Sequence, residues 1–156
     1  MTDSTGAAPS INVLGVRVHM VQIPEALNLA EQWILERDSC RIVVATGMHG
    51  VMEARKDPEF KDVLNSADLF VPDGYSLVWA GRRRGDSIQG RVCGTDLMWE
   101  MMAVSQDEGY SNFFYGDTEE TLERLTIRLK QEFPKLKIAG AHSPPFRPLS
   151  PEEEAQ

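Results

Sequence analysis

The strongest constraint on this chain is the alternation of short apolar runs with segments of helical periodicity. Arg41-Ile-Val-Val-Ala45, Leu69-Phe70-Val71, Asn112-Phe113-Phe114-Tyr115 and Lys137-Ile138-Ala139 are too short for helices and suit buried strands. Val13 to Met20 reads as a further strand or hairpin arm around Gly15. Between these runs, Pro24 to Arg37 carries Ala26, Leu27, Leu29, Ala30, Trp33 and Ile34 on one helical face. A second helix is predicted from about His49 to Lys56. Asp57-Pro58-Glu59 then restarts a helix, with an aspartate cap and proline in the first turn, running to Asn65. Further helices are predicted over Tyr75–Ala80 and from Thr95 or Asp96 through Met102. A last one follows a capping-box pattern at Asp117-Thr118-Glu119-Glu120, with Asp117 accepting from the first-turn amides, and ends near Phe133. Strands that alternate with helices need crossovers. The predicted class is therefore α/β, a Rossmann-like and largely parallel sheet with helices on both faces, incomplete toward the C-terminus.

The ends read differently from the middle. Residues 1–10 are small and polar and are expected to be a disordered lead-in, while 143–156, SPPFRPLSPEEEAQ, reads as a proline-rich acidic tail or linker. Within that tail, Ser150 and Pro151 form a possible helix start. One domain over 11–142 lies between. Sixteen Lys and Arg against 24 Asp and Glu leave a net charge of −8, which argues against gripping nucleic acid through phosphates. No apolar run approaches the roughly 20 residues that span a bilayer, and the start lacks a signal peptide's pattern, so a cytoplasmic location is expected. Cys40 and Cys93 show no CxxC spacing and His19, His49 and His142 are scattered, so no metal site is expected.

Open parallel sheets bind ligands beyond the carboxyl ends of their strands. Thr46, Asp73, Gly116, Asp117 and His142 stand at such ends. Asp73, in Val-Pro-Asp-Gly, is either a turn residue or a carboxylate available as a general base. Thr46 either caps the helix that follows or touches a ligand. His49 sits in the first turn of that helix, where a lone histidine is more often a packed or exposed side chain than a catalyst. Arg91, just before Val92-Cys93-Gly94-Thr95-Asp96, either forms a surface salt bridge or serves a diphosphate together with a helix N-terminus. Arg82-Arg83-Arg84 is read as a solvated basic loop, and Met98, Trp99, Met101 and Met102 as core packing. None of this names a reaction.

Taken together, three stretches resemble the WecG/TagA/CpsF glycosyltransferases: Thr46-Gly-Met-His-Gly-Val-Met-Glu-Ala-Arg-Lys-Asp57, Leu64-Asn-Ser-Ala-Asp-Leu-Phe-Val-Pro-Asp-Gly74 and Arg91-Val-Cys-Gly-Thr-Asp-Leu-Met98. The resemblance covers about residues 11–142. It implies inverting transfer of a hexosyl residue, N-acetylmannosamine or a relative, from a UDP-sugar to a polyprenyl-diphosphate-linked acceptor at the inner membrane face, without a metal or other cofactor. Such reactions build bacterial cell-envelope polysaccharide and teichoic acid. By the same resemblance Asp73 is the base, Thr46 an active-site residue, and Arg91 a substrate contact. Gly74, Gly94, Thr95, Asp96, Gly116 and His49 complete the expected substrate site.

Two departures stand out. Met48 occupies the position of the family's asparagine, with His49 beside it. The family's Gly-x-Gly-x-Pro-Lys-Gln-Glu-x-Trp segment and basic C-terminal extension have no counterpart in the 156 residues, so membrane docking is expected to need that absent extension. Three adjacent arginines give weak attraction to anionic lipid against a net −8. The alternative expectation is a catalytically incomplete module that binds a nucleotide-sugar or a partner. Homo-oligomerisation is left open.

Overall fold

A computed structural model describes residues 8–148 and residue 150. Most of the expected disordered lead-in, and the expected helix start at Pro151, lie outside the described residues. The chain forms two compact units, Met1–Glu100 and Met101–Gln156.

The first unit opens with an antiparallel hairpin of β1 (Ser10–Val13) and β2 (Val16–His19). Leu14 and Gly15 both take positive φ (54° and 93°), the two-residue geometry that matches strand twist, and Asn12 Oδ1 accepts from Gly15 N. Helix α1 (Ile23–Glu36) follows, entered through Gln22, whose N–H donates to Glu25. Then come β3 (Val43–Thr46), α2 (Met48–Ala54), α3 (Pro58–Ser66), β4 (Leu69–Pro72) and α4 (Tyr75–Arg83), and α5 (Gly94–Glu108) begins in this unit. Asp57 caps α3 as expected, accepting from Phe60 N at 3.0 Å. β3 and β4 are parallel, in register from Val43 opposite Leu69 to Thr46 opposite Pro72.

β4 is buried along its whole length and alternates between two cores. Phe70 enters one with Val16, Val18, Val51, Leu64, Leu77 and Val78, from the hairpin, α2, α3 and α4. Leu69 and Val71 enter the other with Val21, Ala26 and Val92. Both faces of the β4 ladder are thus covered. Toward β2, the buried His19 ring completes the hydrogen bonding: Nδ1 accepts from Phe70 N at 2.9 Å.

In the second unit, β5 (Ser111–Tyr115) and β6 (Lys137–His142) are parallel and connected through α6 (Glu119–Glu132), whose Leu122 and Leu129 are buried.

The α/β class is as expected, but four local readings need correction. The described strands form three two-stranded ladders, one of them antiparallel, rather than one largely parallel sheet. β3 is not a buried strand; Val43 is 41% exposed and Ile42, just before it, 51%, because only its β4 edge is paired among the described residues. The cap of α6 is Thr118, whose hydroxyl accepts from Thr121 N, and not Asp117. Asp117 has a φ of 53°, incompatible with the extended backbone of a cap, and its carboxylate accepts from Thr118 N instead. Finally, α4 runs past Ala80 through Arg83, so Arg82 and Arg83 form a helical last turn rather than a loop, where their charge complements the helix dipole.

Candidate functional site

The parallel register brings the carboxyl ends of β3 and β4 side by side, so Thr46-Gly47 and Asp73-Gly74 leave the sheet as neighbouring corners. They pack closely. A Cβ on Gly47 would lie 2.8 Å from the Asp73 carbonyl oxygen, and one on Gly74 would lie 3.5 Å from Gly47 Cα. Thr46 does not cap α2: the cap position is Gly47, without a side-chain bond. The Thr46 side chain instead packs over Gly50, where an added Cβ would meet Oγ1 at 2.6 Å.

A third segment, 91–94, closes on these corners. Val92 is fully buried in the β4 core and its N–H donates to Pro72 O at 3.0 Å, extending the edge of β4 by one bond. This anchor places its neighbours on Asp73. The carboxylate accepts from Gly94 N through Oδ2 at 3.2 Å and faces Arg91 Nη1 through Oδ1 at 3.5 Å. Gly94 is the first residue of α5, and an added Cβ there would press on Ala45 Cβ at 3.1 Å, so a small residue lets the helix start reach the sheet edge. The Asp73 side chain is 24% exposed and that of Arg91 45%, so both remain open to a ligand. Thr95 and Asp96 are exposed in the first turn of α5, where amides point toward an incoming anion.

The structure therefore joins Asp73, Thr46, Gly74, Arg91 and Gly94 at one edge, with Thr95 and Asp96 beside Gly94 in the chain. His49 is on α2 and exposed. Met48, at the position of the family's asparagine, packs against the first core. Gly116 belongs to the second unit; it follows β5 with a φ of 128° and donates to His142 O at 3.1 Å. The conspicuous Asn65 and Asp68 prove to be scaffolding. Asn65 bridges to the hairpin, accepting from Arg17 N and donating to Gly15 O. Asp68 accepts from Ile42 N and pairs with Arg41, and the Ile42 amide, with Arg41 next, holds its carboxyl below the ordinary aspartate value.

Concave spaces of about 360 and 340 Å³ occur elsewhere, beside His142 and α6 in the second unit and beside Trp33 and Arg41 in the first. Neither is lined by Asp73 or Arg91: the first carries Glu119, Glu123, His142 and Ser143, and the second Arg37, Ser39 and Arg41. Among the described residues no group of three or more His, Cys, Asp or Glu is placed to hold a metal.

This arrangement coincides with a family match. The model of the glycosyl transferase WecG/TagA/CpsF family matches residues 11–156. The chain belongs to that family. Among its relatives, a protein of Bacillus spizizenii (strain ATCC 23059 / NRRL B-14472 / W23) is 29% identical over 110 residues, 70% of this chain and 43% of that protein. One of Bacillus subtilis (strain 168) is 31% identical over 87 residues, 56% of this chain and 34% of that protein. Both are named N-acetylglucosaminyldiphosphoundecaprenol N-acetyl-beta-D-mannosaminyltransferase. The chain spans less than half the length of either relative.

Two exposed aromatic residues went unread in the sequence. Tyr75, in the first turn of α4, has its ring 6.0 Å from the Arg91 guanidinium, and Trp79 lies under Arg83 at 4.9 Å. Their spacing, four residues apart on a helix that buries Leu77 and Val78, was the available signal.

Proposed function

We propose that this chain carries the hexosyl-transfer site of an inverting glycosyltransferase. It would move an N-acetylmannosamine-type sugar from a UDP donor to a polyprenyl-diphosphate-linked acceptor at the cytoplasmic face of a membrane. The observation that carries the reading is the convergence on Asp73. One carboxylate stands at the carboxyl ends of two parallel strands, with a cationic side chain and a helix-start amide within reach of its two oxygens. The names of the two Bacillus relatives support the sugar and the acceptor class.

In this reading the acceptor hydroxyl attacks the anomeric carbon on the face opposite the diphosphate. Asp73 takes the hydroxyl proton as the new bond forms. The bond from the anomeric carbon to the diphosphate oxygen breaks, and UDP leaves with the electron pair. Arg91 and the first-turn amides at Thr95 and Asp96 meet the developing negative charge, so that no metal or other cofactor is required of the site. Thr46, Gly74 and Gly94 line the edge where the donor sits. His49 is the polar side chain offered next to Met48, where the family has asparagine.

Asp73→Asn tests the assignment, since the amide keeps the shape and the Gly94 bond but cannot take a proton. Transfer from UDP-N-acetylmannosamine to a synthetic lipid-diphosphate acceptor should fall about 10²- to 10⁴-fold, with donor binding retained. Undiminished transfer would place the base elsewhere. Donor binding by a wild-type chain that transfers nothing would favour the binding-module alternative.

A further inference from the structure

The outward face of α4 is unlike the rest of this acidic chain. Residues 73–91 hold four arginines against two aspartates, whereas the whole molecule carries a net −8. The helix buries Leu77, Val78 and Gly81 on one side. At 100° per residue, Tyr75, Trp79 and Arg83 fall on the opposite side, with Arg82 at the flank beside Val78. Tyr75 is 70% exposed and Trp79 61%, and the Arg83 guanidinium lies over the Trp79 ring. Asp86, the nearest acid in the following turn, sits against Gly81 on the packed side.

Arg82 is held to the carbonyls of Ile88 and Gln89, and Arg84 to that of Asn12. These bonds fix the guanidinium groups without cancelling their charge. The face therefore presents two amphipathic aromatic rings with the Arg83 guanidinium over one of them, and Arg82 at its flank. That is the combination that seats at the headgroup level of a bilayer, the rings below and the cations on the phosphates.

We propose that the Tyr75–Trp79–Arg83 face of α4 docks on an anionic phospholipid surface. Charge complementarity selects this occupant: a cationic face on an acidic chain favours an anionic partner over a second copy of the same chain. Counting arginines in the sequence implied only weak attraction. The fold adds the two rings to the same face and turns Asp86 to the packed side. The contact is peripheral, since no helix among the described residues is long and apolar enough to cross a membrane.

The test uses the full chain and vesicles of phosphatidylcholine with or without phosphatidylglycerol, free of any glycolipid, so it stands apart from sugar transfer. Binding should require the anionic lipid and weaken between low and physiological salt. Arg83→Glu removes one positive charge and adds a negative one, and should lower partitioning roughly 25-fold. Brominated acyl chains should quench tryptophan fluorescence in the wild type but not in Trp79→Phe, which preserves an aromatic ring and the fold. Leu35→Ala, at an exposed leucine of α1, should bind like the wild type. Equal binding to neutral vesicles, no binding at low salt, or quenching that survives Trp79→Phe would overturn the proposal. So would a dimer that Trp79→Ala dissociates, which would give the face to a second copy.

Discussion

Replacing Gly47 by alanine is the most direct probe of how the β3 and β4 corners hold Asp73. The backbone there has a φ of −98° and a ψ of −160°, which alanine adopts without strain, so conformation adds little to the cost. The steric term dominates. The new Cβ would stand 2.8 Å from the Asp73 carbonyl oxygen, a backbone atom at the end of a fully buried strand that cannot swing aside. Overpacking of this kind costs about 1–3 kcal/mol. Alanine is also a poorer helix cap than glycine, adding about 0.5–1 kcal/mol at the start of α2. The sum is about 1.5–4 kcal/mol, or a melting temperature lowered by about 3–16 °C for a chain of this size. Urea unfolding followed by tryptophan fluorescence should show an earlier midpoint with an unchanged slope. Gly90→Ala is the matched control: a Cβ there meets nothing within 4 Å and its φ is not positive, so stability should hold or rise slightly. A Gly47→Ala protein as stable as Gly90→Ala would show that the two corners are not in contact and that the geometry around Asp73 is set otherwise.

Burial, with the Arg17 charge second, holds the His19 imidazole below its ordinary value of 6.5, and the Phe70 amide needs its free lone pair. The unfolded chain then binds the extra proton first, so stability should fall as pH drops below about 6.5, by at most about 1.4 kcal/mol per pH unit from this group. In His19→Gln that pH dependence should vanish in urea titrations at pH 5 and 7. Thr118→Ala removes the acceptor for Thr121 N and should cost about 1 kcal/mol, whereas Asp117→Ala should cost less, measured by the same unfolding assay. A UDP-sugar at 100 times its dissociation constant should stabilise the protein by about 2.7 kcal/mol in a thermal-shift assay, and Arg91→Ala should shrink that gain.

Much of the local structure was written in the amino-acid order. The apolar run Leu69-Phe70-Val71 closed by Pro-Asp-Gly became β4 and its corner, and Asp57-Pro58 opened α3 as its chemistry dictates. Such features depend on neighbours in sequence, and hydrophobic periodicity with capping chemistry is enough to specify them. The three motif stretches also carried the family and nominated Asp73, Thr46 and Arg91. They could not separate roles within a motif. Asn65 and Asp68 stand in the same motif stretch as Asp73, and only their partners, the hairpin backbone and the Ile42 amide, show them to be structural.

Tertiary structure alone decided what depends on residues far apart in the chain. Val92 donates to Pro72 across twenty positions, and through that bond Arg91 and Gly94 come to face Asp73. The exposure of β3 likewise followed from pairing on one edge, which no property of Val43-Val44-Ala45 encodes. Arg82 and Arg83 read as loop residues until the packing of Leu77, Val78 and Gly81 carried α4 one turn further and turned Trp79 outward beside Arg83. Local order sets which segments become helix or strand. Burial across the chain sets which of their side chains meet, and the candidate site is made of such meetings.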